Sequence, residues 1–160
     1  FQAEDVIRDL VLSLVGSEMC IRDSYSSEEL SFAEEIQKTL KAIKPLTNAN
    51  TIQPMEFTYG KASADTGDVS WNAPLAAVRA ATWVPGTPPH SWQAVAAGGT
   101  SIGSKGMLVA AKTMALTAID IYKSPKLLDN IKAEFHKRRG ADFKYVALLG
   151  DRKPALDYRK

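Results

Sequence analysis

The sequence predicts an α/β chain, a piece of a layered domain in which helices cover a small sheet. Three observations carry that expectation. Ser26 stands three positions before Glu29 as a capping box, and apolar residues then recur at helical spacing. Two short stretches, Pro54 to Tyr59 and Val78 to Val84, have strand-like composition and end at Gly or Pro. A long Ala-rich apolar stretch begins at Gly103. Two strands alone make a marginal sheet, so further strands are expected from polypeptide upstream of these residues.

The first 24 residues are set apart from the rest. Leu14-Val15-Gly16-Ser17-Glu18-Met19-Cys20-Ile21-Arg22-Asp23-Ser24 looks like the translation of an adapter used in sequencing libraries, and it has no helical period. Residues 1–24 are therefore expected to be non-native or chimeric, and residues 25–160 to be the working chain. Cys20 lies in the set-aside stretch and drops out of functional argument.

From Ser27 the apolar positions Leu30, Ala33, Ile36, Leu40 and Ile43 predict an amphipathic helix that stops before Pro45. Thr47 to Gln53 is polar, the first strand follows, and Ser63 to Asp68 reads as a loop. After the second strand, Pro85-Gly86-Thr87-Pro88-Pro89 stiffens a loop that delivers His90 and Ser91. From Gly103 to about Tyr122, Lys105, Lys112, Asp120 and Lys123 fall in one narrow stripe, which predicts a helix buried on nearly every side. Pro125 suits the first turn of a further helix running to Arg139, ended by Gly140, and the last twenty residues read as a surface tail.

Composition narrows the function classes. With 45% hydrophobic and 24% charged residues, the 160-residue chain suits one globular core. Its 20 basic and 18 acidic side chains leave a net charge of +2, too small to argue for nucleic acid or an anionic membrane as partner. The apolar run Leu10 to Val15 is far shorter than the roughly 18 residues that a spanning helix requires, so neither anchor nor secretory signal is expected. A single cysteine fits a reducing, cytoplasmic setting.

His90 is the leading candidate for chemistry, an imidazole presented by a rigid loop after a strand, with Ser91 and Trp92 beside it. Ser63, Asp65, Thr66, Gly67 and Asp68 form a second polar group that could hold a ligand or simply make a turn. Glu28-Glu29 and Glu34-Glu35 sit on the capped helix and are explained by helix N-terminal charge and a solvated face. His136, among Lys137, Arg138 and Arg139, reads as a solvated basic helix end.

Longer strings carry a resemblance. Thr66-Gly67-Asp68-Val69-Ser70-Trp71 and Ala81-Thr82-Trp83-Val84-Pro85-Gly86-Thr87-Pro88-Pro89-His90-Ser91-Trp92-Gln93 resemble the closing segment of the dinuclear-zinc aminoacylase and carboxypeptidase family of amidohydrolases. Gly106 through Ala118, Glu134 to Gly140 and Pro154 to Arg159 are similar as well, so the likeness runs from Phe32 to the C-terminus.

The resemblance implies the C-terminal portion of a three-layer zinc-peptidase-like catalytic domain. It implies hydrolysis of an amide bond such as that of aminobenzoyl-glutamate, with a small-molecule amide or peptide as substrate, no nucleic-acid or membrane partner, and an oligomeric parent. His90 matches the last metal ligand of that family, and Asp68 falls where the family places an aspartate beside the substrate pocket, with Gly67, Gly86 and Ser91 as further substrate-binding positions. Two divalent metal ions, zinc or alternatively manganese, are implied for the parent enzyme. The family's His-x-Asp motif, bridging Asp and Glu-Glu pair are not in this sequence, so no catalytic residue is assigned and the chain alone is expected to be inactive. The alternatives are a small non-catalytic ligand-binding module and a truncated partner subunit.

Overall fold

Helix formation begins where the capping box places it. In the computed structural model, which describes residues 24–53, 65–147, 149–153 and 155–156, α1 spans Ser27–Gln37. The Ser26 hydroxyl accepts the Glu29 amide at 3.2 Å, and the Glu29 carboxylate accepts the Ser26 amide at 2.7 Å. The helix stops earlier than its apolar spacing suggests. Thr39 donates its hydroxyl to the Ile36 carbonyl at 2.7 Å, and Gln37 donates its side-chain amide to the Lys44 carbonyl at 2.6 Å. These bonds compete with helical propagation and turn the chain, while Leu40 still reaches the core.

A 3-10 turn, Leu46–Ala49, follows. Four more α-helices are α2 (Thr66–Asn72), α3 (Trp92–Gly98), α4 (Ser101–Lys123) and α5 (Pro125–Arg139). The α5 start is as the sequence predicts: Pro125 occupies the first turn and the Ser124 hydroxyl accepts the Leu127 amide at 3.3 Å.

The expected α/β architecture is overturned, because the described residues contain helices and no strand. Val78 to Val84 has no ladder partner among the described residues, and it turns at Thr82, whose amide donates to the Ala80 carbonyl at 3.0 Å. A strand exists only through hydrogen bonds to a neighbour, and β-type composition cannot supply the neighbour. The other expected strand, Pro54 to Tyr59, lies outside the described residues, as do Ser63 and the adapter-like stretch except for Ser24.

One core joins the two halves of the described chain. Ala33, Ile36 and Leu40 pack with Val84, Ala97 and Ile102, and Tyr25, Phe32, Leu46 and Trp83 close around them. Glycine lets neighbouring backbone lie close against α4. A Cβ on Gly103 would fall 2.3 Å from the Gly98 carbonyl oxygen, and one on Gly106 would fall 2.4 Å from that of Ala81. A smaller cluster sits farther along, where Ile131 and Phe135 of α5 are buried.

A partly buried ion pair pins α1 to α4. Glu29 Oε2 lies 2.8 Å from Lys105 Nζ, Ser101 donates its hydroxyl to Glu29 Oε1 at 2.5 Å, and Lys105 also donates to the Ser24 carbonyl at 3.1 Å. The Lys105 and Ser101 hydrogen bonds hold the Glu29 carboxyl down at about 2. Beside it, burial first and the Glu29 charge second push the Tyr25 phenol up.

Two further expectations change. The helix expected to be buried on nearly every side is buried along one side only, by Ile102, Gly103, Gly106 and Thr113. The expected surface tail is partly docked: Phe143 stacks on Trp71 with ring centroids 4.6 Å apart, and Tyr145 donates to Asp68 at 2.8 Å. These contacts explain why Thr66–Asn72 is a helix where a loop is expected, since a short helix needs tertiary support.

Candidate functional site

The His90 loop is built from its ends inward. Val84, fully buried, anchors the entry. Thr87 donates its amide to the Val84 carbonyl at 3.0 Å, closing a turn with Pro85 second and Gly86 third. Gly86 has φ +95, the left-handed value that a type II turn requires at its third position. Any Cβ there would meet the Ala42 carbonyl oxygen at 2.3 Å, so the loop lies directly on the segment after α1. Gly86 therefore shapes the loop through backbone geometry.

The exit is fixed by the cap of α3. Ser91 donates its hydroxyl to the Pro88 carbonyl at 2.7 Å and accepts the Ala94 amide at 3.2 Å. Gln93, buried in the first turn of α3, donates to Thr39 Oγ1 at 3.2 Å. Loop and helix are thus tied to the turn after α1 by side chains on both sides of His90.

Between these anchors His90 takes φ 57, the only non-glycine residue with positive φ among the described residues. The left-handed region costs an L-residue about 1 kcal/mol or more, although His enters it more readily than most. The imidazole is exposed. It stands at the rim of an open concavity of about 400 Å³ lined by Trp83, His90, Ser91, Trp92, Ala94 and Val95. Trp92 is 60% exposed, an unusual placement for an indole unless something covers it.

Asp68 and Gly67 do not line this concavity. Both lie in the first turn of α2 and are exposed. Asp68 accepts the Tyr145 hydroxyl, and this hydrogen bond, followed by desolvation and the Asp68 charge, raises the Tyr145 phenol above its ordinary value. Nothing lies within 4 Å of a Cβ placed on Gly67. The structure brings His90, Ser91 and the Gly86 turn together and holds Asp68 and Gly67 in a separate polar group with the C-terminal segment.

Metal-ligand chemistry can be tested on the donor set. No group of three or more His, Cys, Asp or Glu side chains that could hold a metal ion is assembled among the described residues. One exposed imidazole does not make a two-metal centre, so the described residues do not by themselves fit the metal pair that the resemblance implies. His136, the other histidine, is exposed at the end of α5 against Arg139. No helix among the described residues is long and apolar enough to cross a membrane.

Sequence reasoning missed the apolar wall of the concavity. Trp83 and Val95 stand 12 positions apart in the numbering, and only the turn at Gly86 and the cap at Ser91 bring them to one rim. It also missed the pairing of Glu29 with Lys105 across 76 positions, for which neither residue carries a local signal.

Comparison with known proteins gives one named relative. The chain is 36% identical over 136 residues to a p-aminobenzoyl-glutamate hydrolase subunit of Escherichia coli (strain K12), a match that takes in 69% of this chain and 28% of that protein. The chain therefore spans under a third of the relative's length. The relative is named for hydrolysis of aminobenzoyl-glutamate, the same amide that the resemblance drawn from the residues implies. No family model and no solved structure matches the chain.

Proposed function

We propose that this chain forms part of a metal-dependent amide hydrolase acting on an aryl amide of the aminobenzoyl-glutamate kind, and that His90 is one ligand of its metal centre. The observation that carries the reading is His90 itself: an exposed imidazole held at φ 57 between two locked anchors, within a string similar to a named hydrolase subunit. Backbone strain concentrates where position matters more than local stability.

The other ligands, zinc or manganese between them, belong to residues that this chain does not contain. No hydrolytic step is assigned to its side chains. Their part is placement: the Ser91 cap and the Gly86 turn fix the imidazole, and Trp83, Trp92 and Val95 offer an apolar wall suited to an aromatic acyl group. The relative is named as a subunit, which supports assembly with a second kind of chain. Alone, the chain is expected to hydrolyse nothing and to bind zinc weakly, since affinity depends on the whole ligand set.

A chimera tests this. Residues 25–160 replace the matched segment of the E. coli subunit, and hydrolysis of p-aminobenzoyl-glutamate and bound metal are measured with and without His90→Ala. The reading expects an active chimera that loses at least a hundredfold in activity, and part of its metal, on substitution. An active chimera indifferent to His90→Ala would sink it. Metal-independent binding of the aryl amide by the isolated chain would favour a ligand-binding module instead.

A further inference from the structure

The two indoles that line the concavity beside His90 are held in different ways. Trp83 packs against the core cluster, and a Cβ on Gly98 would lie 3.8 Å from its Nε1. The fold therefore accounts for Trp83. Trp92 and Val95 stand apart from that cluster and are largely exposed, and three residues apart on α3 they are neighbours on the helix surface. Trp92 follows directly on the Ser91 cap, two residues from His90, so the cap that fixes the imidazole fixes the path to the indole as well.

Charge decides which end of a substrate suits this lining. It contains no Lys and no Arg. Ser91 donates its one proton to the Pro88 carbonyl and accepts the Ala94 amide. His90 is taken by the metal in the proposed reading. An amide of the aminobenzoyl-glutamate kind has one end that is flat and uncharged at neutral pH and another that carries carboxylates. A carboxylate set against an apolar wall without a cation loses hydration and gains no partner, whereas an aromatic ring gains both buried area and an indole to stack on.

We infer that Trp92 is the specificity-determining residue for the acyl side of the amide, selecting an aromatic group by covering its ring, and that the amino-acid side is held away from this concavity. The inference rests on the proposed hydrolase reading and deepens it, since it assigns the choice of acyl group to one side chain and removes the choice of amino acid from that side chain. Trp83 and Val95 extend the same apolar lining. Because Trp92 is exposed and outside the core cluster, replacing it tests ligand contact with little disturbance of the fold.

The chimera with the E. coli subunit, loaded with zinc, is assayed on three amides: p-aminobenzoyl-glutamate, N-acetyl-glutamate and p-aminobenzoyl-alanine. Trp92→Ala should lower kcat/KM for p-aminobenzoyl-glutamate by about tenfold or more, as the loss of one aromatic pair and its buried area implies. The loss should fall mainly on KM, with N-acetyl-glutamate changed by less than about threefold and bound zinc unchanged. Trp92→Phe should recover most of the loss, and p-aminobenzoyl-alanine should show the same Trp92→Ala factor as the glutamate compound. Equal losses on the aryl and acetyl substrates overturn the inference, because they make Trp92 a merely structural residue. So does no loss on any substrate, or a factor that vanishes with the alanine compound, which would put the amino-acid end against the indole. If the chimera hydrolyses nothing, its affinity for p-aminobenzoyl-glutamate by titration calorimetry carries the same comparison. Weaker binding in Trp92→Ala, recovered in Trp92→Phe, then upholds the aryl contact while the proposed activity falls, and unchanged or absent binding overturns the contact too.

Discussion

Replacing Glu29 by Gln should remove a pH-dependent share of stability that can be sized in advance. Glu29 is 7% exposed and bonds to Lys105, Ser101 and the Ser26 amide, and its carboxyl titrates at about 2 against an ordinary value of 4.5. Because the folded value is depressed, the contribution is complete above the unfolded value and disappears as pH falls through the folded one. At about 1.36 kcal/mol per pH unit between the two titrations, the full contribution is on the order of 3 kcal/mol. Urea denaturation of the parent chain and of Glu29→Gln, followed by circular dichroism between pH 7 and pH 2, reads it directly. At pH 7 the variant should be less stable by about 2 to 3 kcal/mol, since it leaves the half-buried Lys105 ammonium without its carboxylate. Below pH 4.5 the gap should narrow, approaching zero near pH 2. A gap that stays constant with pH would mean that the loss comes from packing or helix capping, and the ion-pair argument would be refuted.

Other outcomes follow from the same geometry. Gly106→Ala drives a methyl group to 2.4 Å from the Ala81 carbonyl oxygen and should cost about 2 kcal/mol or more, seen as a lower urea midpoint. Ser91→Ala removes the cap of α3 and should cost about 1 kcal/mol, whereas Ser91→Asp, which can still accept the Ala94 amide, should recover most of it. The Tyr145 phenol should titrate above its ordinary value in an ultraviolet titration and return toward it in Asp68→Ala, which removes the acceptor; no change on substitution would exclude the hydrogen bond. His90→Gly should leave stability within about 0.5 kcal/mol of the parent, while His90→Ile, β-branched at φ 57, should cost about 1 to 2 kcal/mol in the same denaturation assay.

Much of the helical framework was legible because its signals are local. The Ser26 and Glu29 box, Pro125 in the first turn of α5 and Gly140 after it each act within a few residues, and the structure keeps all of them. The sheet was misread for the complementary reason. Val78 to Val84 has β-type residues, but pairing is a property of two segments, and no second one meets it among the described residues. The apolar stretch of α4 gave a correct helix and an incorrect burial: hydrophobicity measures what a face is suited to touch, and here one face is exposed. Within the site, the residue types of the His90 loop were readable, while its aromatic wall depended on turn and cap geometry that no spacing rule contains.

The His90 loop also shows which constraint is local and which is imposed. Gly86 needs its left-handed φ for the turn, and any side chain there would strike Ala42, so that residue is explained by packing alone. His90 has no such explanation. Its imidazole is exposed, and a glycine would satisfy the same backbone without strain. The strained backbone persists because the Val84 turn on one side and the Ser91 cap on the other leave the intervening chain little choice of path. A fold that fixes both neighbours of an exposed, strained imidazole spends rigidity on where that ring points. A backbone fixed on both sides is what the proposed role of His90 as a metal ligand calls for.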